Sequence, residues 1–278
     1  MTSPRGFTLI ELIVVMLLIG IVGAGATVFI TGPVAGYVDS NRRAQVADTA
    51  DVAIRRLARD LRSALPNSVR VGGGNRYLEY IPTSGGGRYQ ADGGVTFPDI
   101  LNFNIDDPSF DYTGLSLANK TGFVVVYNNG IREPSCPSMD AYQGCNRGEI
   151  STTTLPTSSR ITLSGIGKKF PFASPANRFH IVPATGPVTL ACEGVGNVGG
   201  NGTGTLRIYS NYATGAGDWG SAAPAAAPGG TSSLLAENIS ACDFVFSPGD
   251  GFVILRIALT RQNETVILHN QAHVDNVP

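Results

Sequence analysis

The chain has 278 residues, 20 Lys and Arg against 21 Asp and Glu, and a formal net charge of −1. That balance excludes the dense basic surface a nucleic-acid partner requires, and the length allows a membrane helix plus one sizeable globular domain or two small ones. Thirty-five glycines favour a loop-rich β domain over a helical one.

The first element begins almost at once. Gly6-Phe7-Thr8-Leu9-Ile10-Glu11-Leu12 leads into an apolar run that lasts to Ile30. A helix of about 20 apolar residues spans the ~30 Å bilayer core, so residues 7–30 are read as a transmembrane helix. A secretory signal peptide does not fit: only Met1 to Gly6 precede the run, no small-x-small cleavage site closes it, and it is too long. Glu11 stands near its front. A charged side chain at membrane depth costs about 3 kcal/mol or more, which marks Glu11 as a functional residue, and a partner cation in the same layer would restore much of that cost. The plainer alternative is a signal anchor that tolerates the acid. Arg5 lies on the short side of the span and Arg42 and Arg43 beyond it, so positive charge alone does not set the orientation.

Residues 31–65 continue the helix. Gly32-Pro33 is predicted to kink or interrupt it, because proline removes a backbone donor and clashes with the preceding turn. Beyond, Ala50, Ile54, Leu57, Leu61 and Leu65 recur on one face of an amphipathic helix. The other face carries Asp48, Asp51, Arg55, Arg56, Arg59, Asp60 and Arg62, with Asp51–Arg55 and Arg56–Asp60 spaced as i,i+4 pairs. Pro66 marks the end.

From Pro66 onward short β-like runs alternate with Gly, Pro, Asn and Ser. The predicted strands are 76–81, 101–105, 122–127, 178–182, 188–192, 205–209, 241–246, 252–259 and 264–269, the last three as a meander. Gly85-Gly86-Gly87, Gly93-Gly94 and Gly199-Gly200 are read as turns or flexible loops, and the Ala/Pro-rich tract 221–230 as an exposed loop or tether.

The four cysteines allow three pairings. Cys136 and Cys145 close a short Pro/Ser/Gly-containing loop, while Cys192 and Cys242 sit in strand-like runs and would staple two strands, so Cys136–Cys145 and Cys192–Cys242 are the expected disulfides. Disulfides require an oxidising compartment such as the periplasm. The cysteine spacing does not match a zinc site. Gly194-Val-Gly196-Asn-Val-Gly199 spells a dinucleotide-binding motif, but another strand follows where a helix is needed. His180, His269 and His273 lack ligand-spaced partners and read as strand histidines. Asp99, Asp106, Asp107 and Asp111 could gather around Ca²⁺, yet no EF-hand loop contains them. No nucleophile elbow, HExxH or P-loop is present. The expectation is a protein that is not an enzyme, with no catalytic residues, no cofactor and no metal.

The N-terminal heptapeptide resembles that of type IV pilins and of the pseudopilins of type II secretion, over roughly the first 30 residues. The resemblance implies a leader of residues 1–6, cleavage between Gly6 and Phe7 by prepilin peptidase, and N-methylation of Phe7. It implies that Glu11 pairs with the amino terminus of a neighbouring subunit during assembly. Arg42-Arg43, the stretch 55–68 and Cys242-Asp-Phe-Val-Phe-Ser-Pro-Gly more loosely resemble minor pilins of the mannose-sensitive haemagglutinin (MSHA) type, and the J-type minor pseudopilins share the plan. The implied fold is α+β and pilin-like: a long helix, transmembrane in its first half (7–30) and amphipathic in its second (31–65), packed on an enlarged antiparallel β-sheet domain (66–278). The implied partners are other pilin subunits, the prepilin peptidase/methyltransferase and the inner-membrane pilus assembly machinery. The implied location is a single pass through the inner membrane with the C-terminal domain in the periplasm, then the pilus at the cell surface. A type II secretion minor pseudopilin and a pilus-tip adhesin or binding module are the alternatives.

Overall fold

The computed structural model describes residues 8–274 apart from Ala216 and Ser221. The chain divides into two units, Met1–Asp48 and Thr49–Pro278. One helix, α1 (Leu9–Arg62, 54 residues), supplies the first unit and enters the second. In the first unit the apolar side chains from Leu9 to Ile30 that are described lie exposed, and Leu9–Thr27 is long and apolar enough to cross a membrane.

The interruption expected at Gly32-Pro33 is absent: helical structure runs through both residues. A mid-helix proline costs about 3 kcal/mol. Ending the helix there would leave several backbone donors and acceptors without partners, and re-nucleating it would cost more again.

In the second unit the last turns of α1 bury Ile54, Leu57, Ala58 and Leu61, a stripe at helical spacing. On the outer side Arg55 pairs with Asp51 at 2.7 Å, and Arg56 lies 3.9 Å from Asp60. The helix ends at Arg62, short of Leu65, because the chain is drawn into a sheet-like pairing. The Ser63 and Ala64 amides bond the carbonyls of Asp60 and Leu61, and the Leu65 amide then donates to Ile81 O at 2.7 Å. Asn67 and Asn128 lock the exit: Asn67 Nδ2 donates to Asn128 O (2.9 Å), and Asn128 Nδ2 donates to Pro66 O (2.6 Å).

Among the described residues fifteen strands follow, and every pairing is antiparallel. They are β1 (Arg70–Gly72), β2 (Tyr77–Tyr80), β3 (Gly85–Tyr89), β4 (Ser109–Thr113), β5 (Phe123–Val126), β6 (Arg147–Glu149), β7 (Arg160–Thr162) and β8 (Arg178–Val182). Then come β9 (Val188–Glu193), β10 (Asn197–Val198), β11 (Asn201–Gly202), β12 (Gly204–Ser210), β13 (Thr231–Ser247), β14 (Phe252–Arg261) and β15 (Glu264–His273). A seven-stranded sheet has the order β1-β2-β9-β12-β13-β14-β15, a six-stranded sheet the order β6-β5-β8-β3-β4-β7, and β10-β11 form a small ribbon. A long N-terminal apolar helix followed by a large antiparallel β domain is an α+β, pilin-like fold.

The six-stranded sheet is buried on both faces. Along β5, Val124 and Val126 enter a cluster with Phe110, Tyr112, Phe179 and Ile181. Phe123 and Val125 point the other way, into a cluster with Leu65, Ile81, Tyr142 and Trp219. The unbroken apolar run of this strand follows from that double burial.

Two local readings are corrected and one is narrowed. The run 101–105 is not a strand, because side chains compete for its backbone: Asp107 Oδ2 accepts from the Asn102 amide at 2.7 Å, and Asn102 Oδ1 from the Asn104 amide at 2.9 Å. Gly85-Gly86-Gly87 is not a flexible loop but the start of β3. A Cβ on Gly85 would lie 2.6 Å from the Leu117 side chain and one on Gly86 2.8 Å from Phe179 O, so only glycine admits the neighbouring backbone and side chains. The tract 221–230, read as an exposed loop or a tether, is a loop whose described residues are mostly exposed. Together with 211–220 it forms the 20-residue connection from β12 to β13, and Ala223 and Pro224 lie directly against Gly72 in β1.

Candidate functional site

The N-terminal site is the entrance of α1. Gly6 and Phe7, the expected cleavage pair, lie outside the described residues. Thr8 is the residue before the helix and Glu11 occupies its first turn. The Glu11 amide donates to Thr8 Oγ1 at 3.4 Å, and the Leu12 amide to Thr8 O at 3.2 Å. Thr-x-x-Glu is the spelling of a capping box, a signal in the sequence that the pattern of apolar residues had overshadowed. The acid gains from the positive end of the helix dipole, worth about 0.3–1 kcal/mol. Within Leu9–Thr27 Glu11 is the sole charged side chain. The geometry therefore displays one carboxylate at the head of an apolar rod, where a cation from outside the chain can meet it.

The head domain carries a second set of polar groups, around the β12–β13 connection. Trp219 is 5% exposed and makes an edge contact with Phe123, with ring centroids 5.7 Å apart. The Arg147 guanidinium stacks on the indole, 3.4 Å from its centroid and 5.2 Å from that of Phe123, and donates to Gly215 O (3.4 Å) and to Gly217 O. Trp219 Nε1 also donates to Gly215 O (2.9 Å), and its amide to Tyr142 O (2.7 Å). Arg132 pairs with Asp218 and lies 3.5 Å from Asp140, and both Arg132 and Arg70 donate to Gly220 O at 3.2 Å. Arg70 also pairs with Glu79 and lies 3.5 Å above the Tyr142 ring, while Glu79 accepts from Tyr212 Oη at 2.7 Å. Three arginines thus hold the connection by its carbonyls. Burial pushes the Arg147 guanidinium down to about 9, which leaves it cationic at neutral pH. These residues escaped the sequence reading; the one available signal was the lone tryptophan set among Gly, Ala and Pro.

The cysteines form Cys136–Cys145 and Cys192–Cys242, with Cα atoms 5.6 and 6.3 Å apart. Cys192 lies in β9 opposite Leu206 of β12, and Cys242 lies in the second half of β13, beyond Ile239, which pairs with Gly204 at the start of β12. The candidate calcium acids are engaged by the protein itself. Arg160 Nε donates to Asp111 Oδ1 (2.7 Å) and Nη2 to Oδ2 (3.1 Å). That pairing, the largest influence, holds the Asp111 carboxyl below the usual range. Asp107 caps the amides of Asn102 and Ser109, and Asp106 accepts from the Lys169 amide. Burial raises Asp107. Among the described residues no three His, Cys, Asp or Glu side chains converge as a metal site. His269 and His273 lie exposed on β15, opposite Arg256 and Phe252, and His180 lies in β8.

The family model described as "Prokaryotic N-terminal methylation motif" matches residues 1–27. The chain thus opens with a prepilin-type methylation motif. The motif and the apolar helix behind it support a type IV pilin-like protein, as a pilin or pseudopilin precursor, and fit membrane anchoring. The motif implies processing by prepilin peptidase and assembly with pilin machinery. No curated protein and no solved structure matches the chain significantly.

Proposed function

We propose that this chain is a minor pilin, an assembly subunit of a type IV pilus. The observation that carries the reading is the methylation motif at residues 1–27 set directly before a helix whose apolar part holds a single acid, Glu11. In this reading the processed, N-methylated chain waits in the inner membrane with its head in the periplasm. Glu11 then accepts the amine of a neighbouring subunit as the helix enters the filament and reaches the cell surface. The role is structural and involves no catalytic step.

The size of the head supports a low copy number. A rod of many copies favours a compact head, whereas this one carries two large sheets and a 20-residue connection on one hairpin. Long loops are costly to order and awkward in every repeat of a dense lattice. They are tolerable near a tip or in an initiating complex. Within type IV systems the stretches 55–68 and 242–249 favour a subunit like O of the MSHA pilus. The methylation motif serves minor pseudopilins of type II secretion equally well, and the identity of the adjacent genes separates the two. Quantitative proteomics of purified filaments tests the proposal: this chain should be present at a small fraction of the most abundant pilin, and equal stoichiometry refutes the minor role.

A further inference from the structure

The two disulfides sit in different surroundings. Cys192 is buried, and its bond to Cys242 lies between strands of the seven-stranded sheet. Cys136 and Pro137 are exposed at the mouth of a cleft of about 390 Å³, lined by both sulfur-bearing residues and by Lys168, Lys169 and Pro171. Prolines and the disulfide give the cleft apolar walls, and the two lysines make it electropositive. Burial and the nearby Arg147 charge both depress the Lys168 amine, with only Asp106 acting in the other direction. A thiolate born here would be stabilised by the adjacent cations, and a thiol of lowered pKa is the better leaving group.

The loop closed by this bond also bears the anchor of the β12–β13 connection. Between Cys136 and Cys145 lie Asp140, which faces Arg132 at 3.5 Å, and Tyr142, whose carbonyl accepts the Trp219 amide. Tyr142 Oη donates in turn to Ser68 O at 2.9 Å.

We propose that Cys136–Cys145 is a site of thiol–disulfide exchange with a dithiol, and that opening it releases residues 211–220 from the head. The incoming thiolate attacks Cys136 Sγ, the bond to Cys145 breaks, and Cys145 departs as a thiolate beside the lysines. The second thiol of the dithiol gives up its proton and attacks its own partner sulfur in the mixed disulfide, which expels Cys136 as a thiolate. The dithiol is oxidised to a disulfide, its two electrons reduce the cystine, and the two protons it lost return to the cysteines.

The test uses full-length protein in detergent micelles. Dithiothreitol is added in steps at neutral pH, free thiols are alkylated and peptides mapped by mass, while circular dichroism follows the fold. Cys136 and Cys145 should become alkylated at least about ten-fold faster than Cys192 and Cys242 with the β signal retained. Trp219, the single tryptophan of the chain, should shift its emission to the red and become open to acrylamide as they do. Reduced glutathione should give a mixed disulfide at Cys136 rather than Cys145. Replacing both lysines (Lys168→Gln with Lys169→Gln) should slow reduction about three-fold or more at an unchanged melting temperature. The double variant Cys136→Ser/Cys145→Ser should show the reduced protein's tryptophan spectrum without any reductant. Equal rates at the two disulfides, earlier opening of Cys192–Cys242, or reduction only upon unfolding overturns the exchange site. A Trp219 spectrum unmoved by full reduction of Cys136–Cys145 overturns the release.

Discussion

Removing the Trp219 side chain tests whether the β12–β13 connection belongs to the core of the head or rests on its surface. In Trp219→Ala a side chain 5% exposed disappears from a cluster that includes Leu65, Ile81, Phe123 and Tyr142. Truncating a buried aromatic of this size costs about 3–5 kcal/mol, from lost transfer energy and the cavity left behind. The Arg147 stack at 3.4 Å is lost as well, a contact of about 2 kcal/mol when desolvated, and so is the indole bond to Gly215 O. These contributions overlap, since the truncation figure already includes part of the ring contacts. The expected loss is therefore about 4 kcal/mol, a large share of the 5–15 kcal/mol typical of a whole domain. Trp219→Phe, which keeps a ring against Phe123 but not the indole N–H, should lose roughly half as much. Urea unfolding of the full-length protein in micelles, followed by circular dichroism at several wavelengths, gives both values. A loss below about 1 kcal/mol for Trp219→Ala would refute the reasoning, because it would mean that the connection detaches without disturbing the cluster beneath it.

Other predictions follow from the N-terminus and the acidic cluster. Mass spectrometry of the native protein should find Phe7 as an N-methylated first residue; intact Met1 in cells holding the peptidase contradicts the processing assignment. Glu11→Ala should leave membrane insertion intact or improved, since a buried charge is removed, while incorporation into sheared filaments fails; wild-type incorporation would end the assembly role. For Asp111, the folded-state pKa lies below the unfolded one because of Arg160. Its contribution is thus complete above about pH 4, the ordinary value for Asp, and declines as pH falls through the lower folded value. Asp111→Asn should cost about 1 kcal/mol at neutral pH, a figure discounted for the exposure of Arg160, and should flatten the fall in stability below pH 4. A variant whose acid unfolding curve stays parallel to the wild type contradicts that linkage.

Much of this protein was legible without its structure, and the legible parts share a physical character. The apolar run behind Glu11, the stripe Ile54-Leu57-Leu61, and the terminal meander β13–β15 depend on periodicity along a few consecutive turns or strand residues. A helix face or a strand alternation is written locally, because neighbours in space are three, four or two residues apart in sequence. The cysteine pairing was readable for a related reason: one pair closes a nine-residue separation, and removing it leaves a single partner for each remaining cysteine.

What the sequence by itself determined, then, is the helix, the lone acid of its apolar part, the prepilin motif and the β character of the head. Only the tertiary structure decided the fate of groups whose partners are distant. Gly85-Gly86-Gly87 reads as a loop until Phe179 and Leu117 close on it and make glycine the only residue that fits a strand there. Leu101–Ile105 has strand composition, but Asp107 claims its backbone first. The Ala/Pro tract reads as an exposed loop or tether, and only the tertiary structure shows the segment before it held at the carbonyls of Gly215, Gly217 and Gly220 by Arg147, from β6, and by Arg132 and Arg70, far away along the chain. Hydrogen bonds and stacking contacts of this kind are made between residues tens to more than a hundred positions apart, and no local pattern encodes where a guanidinium will find its carbonyl.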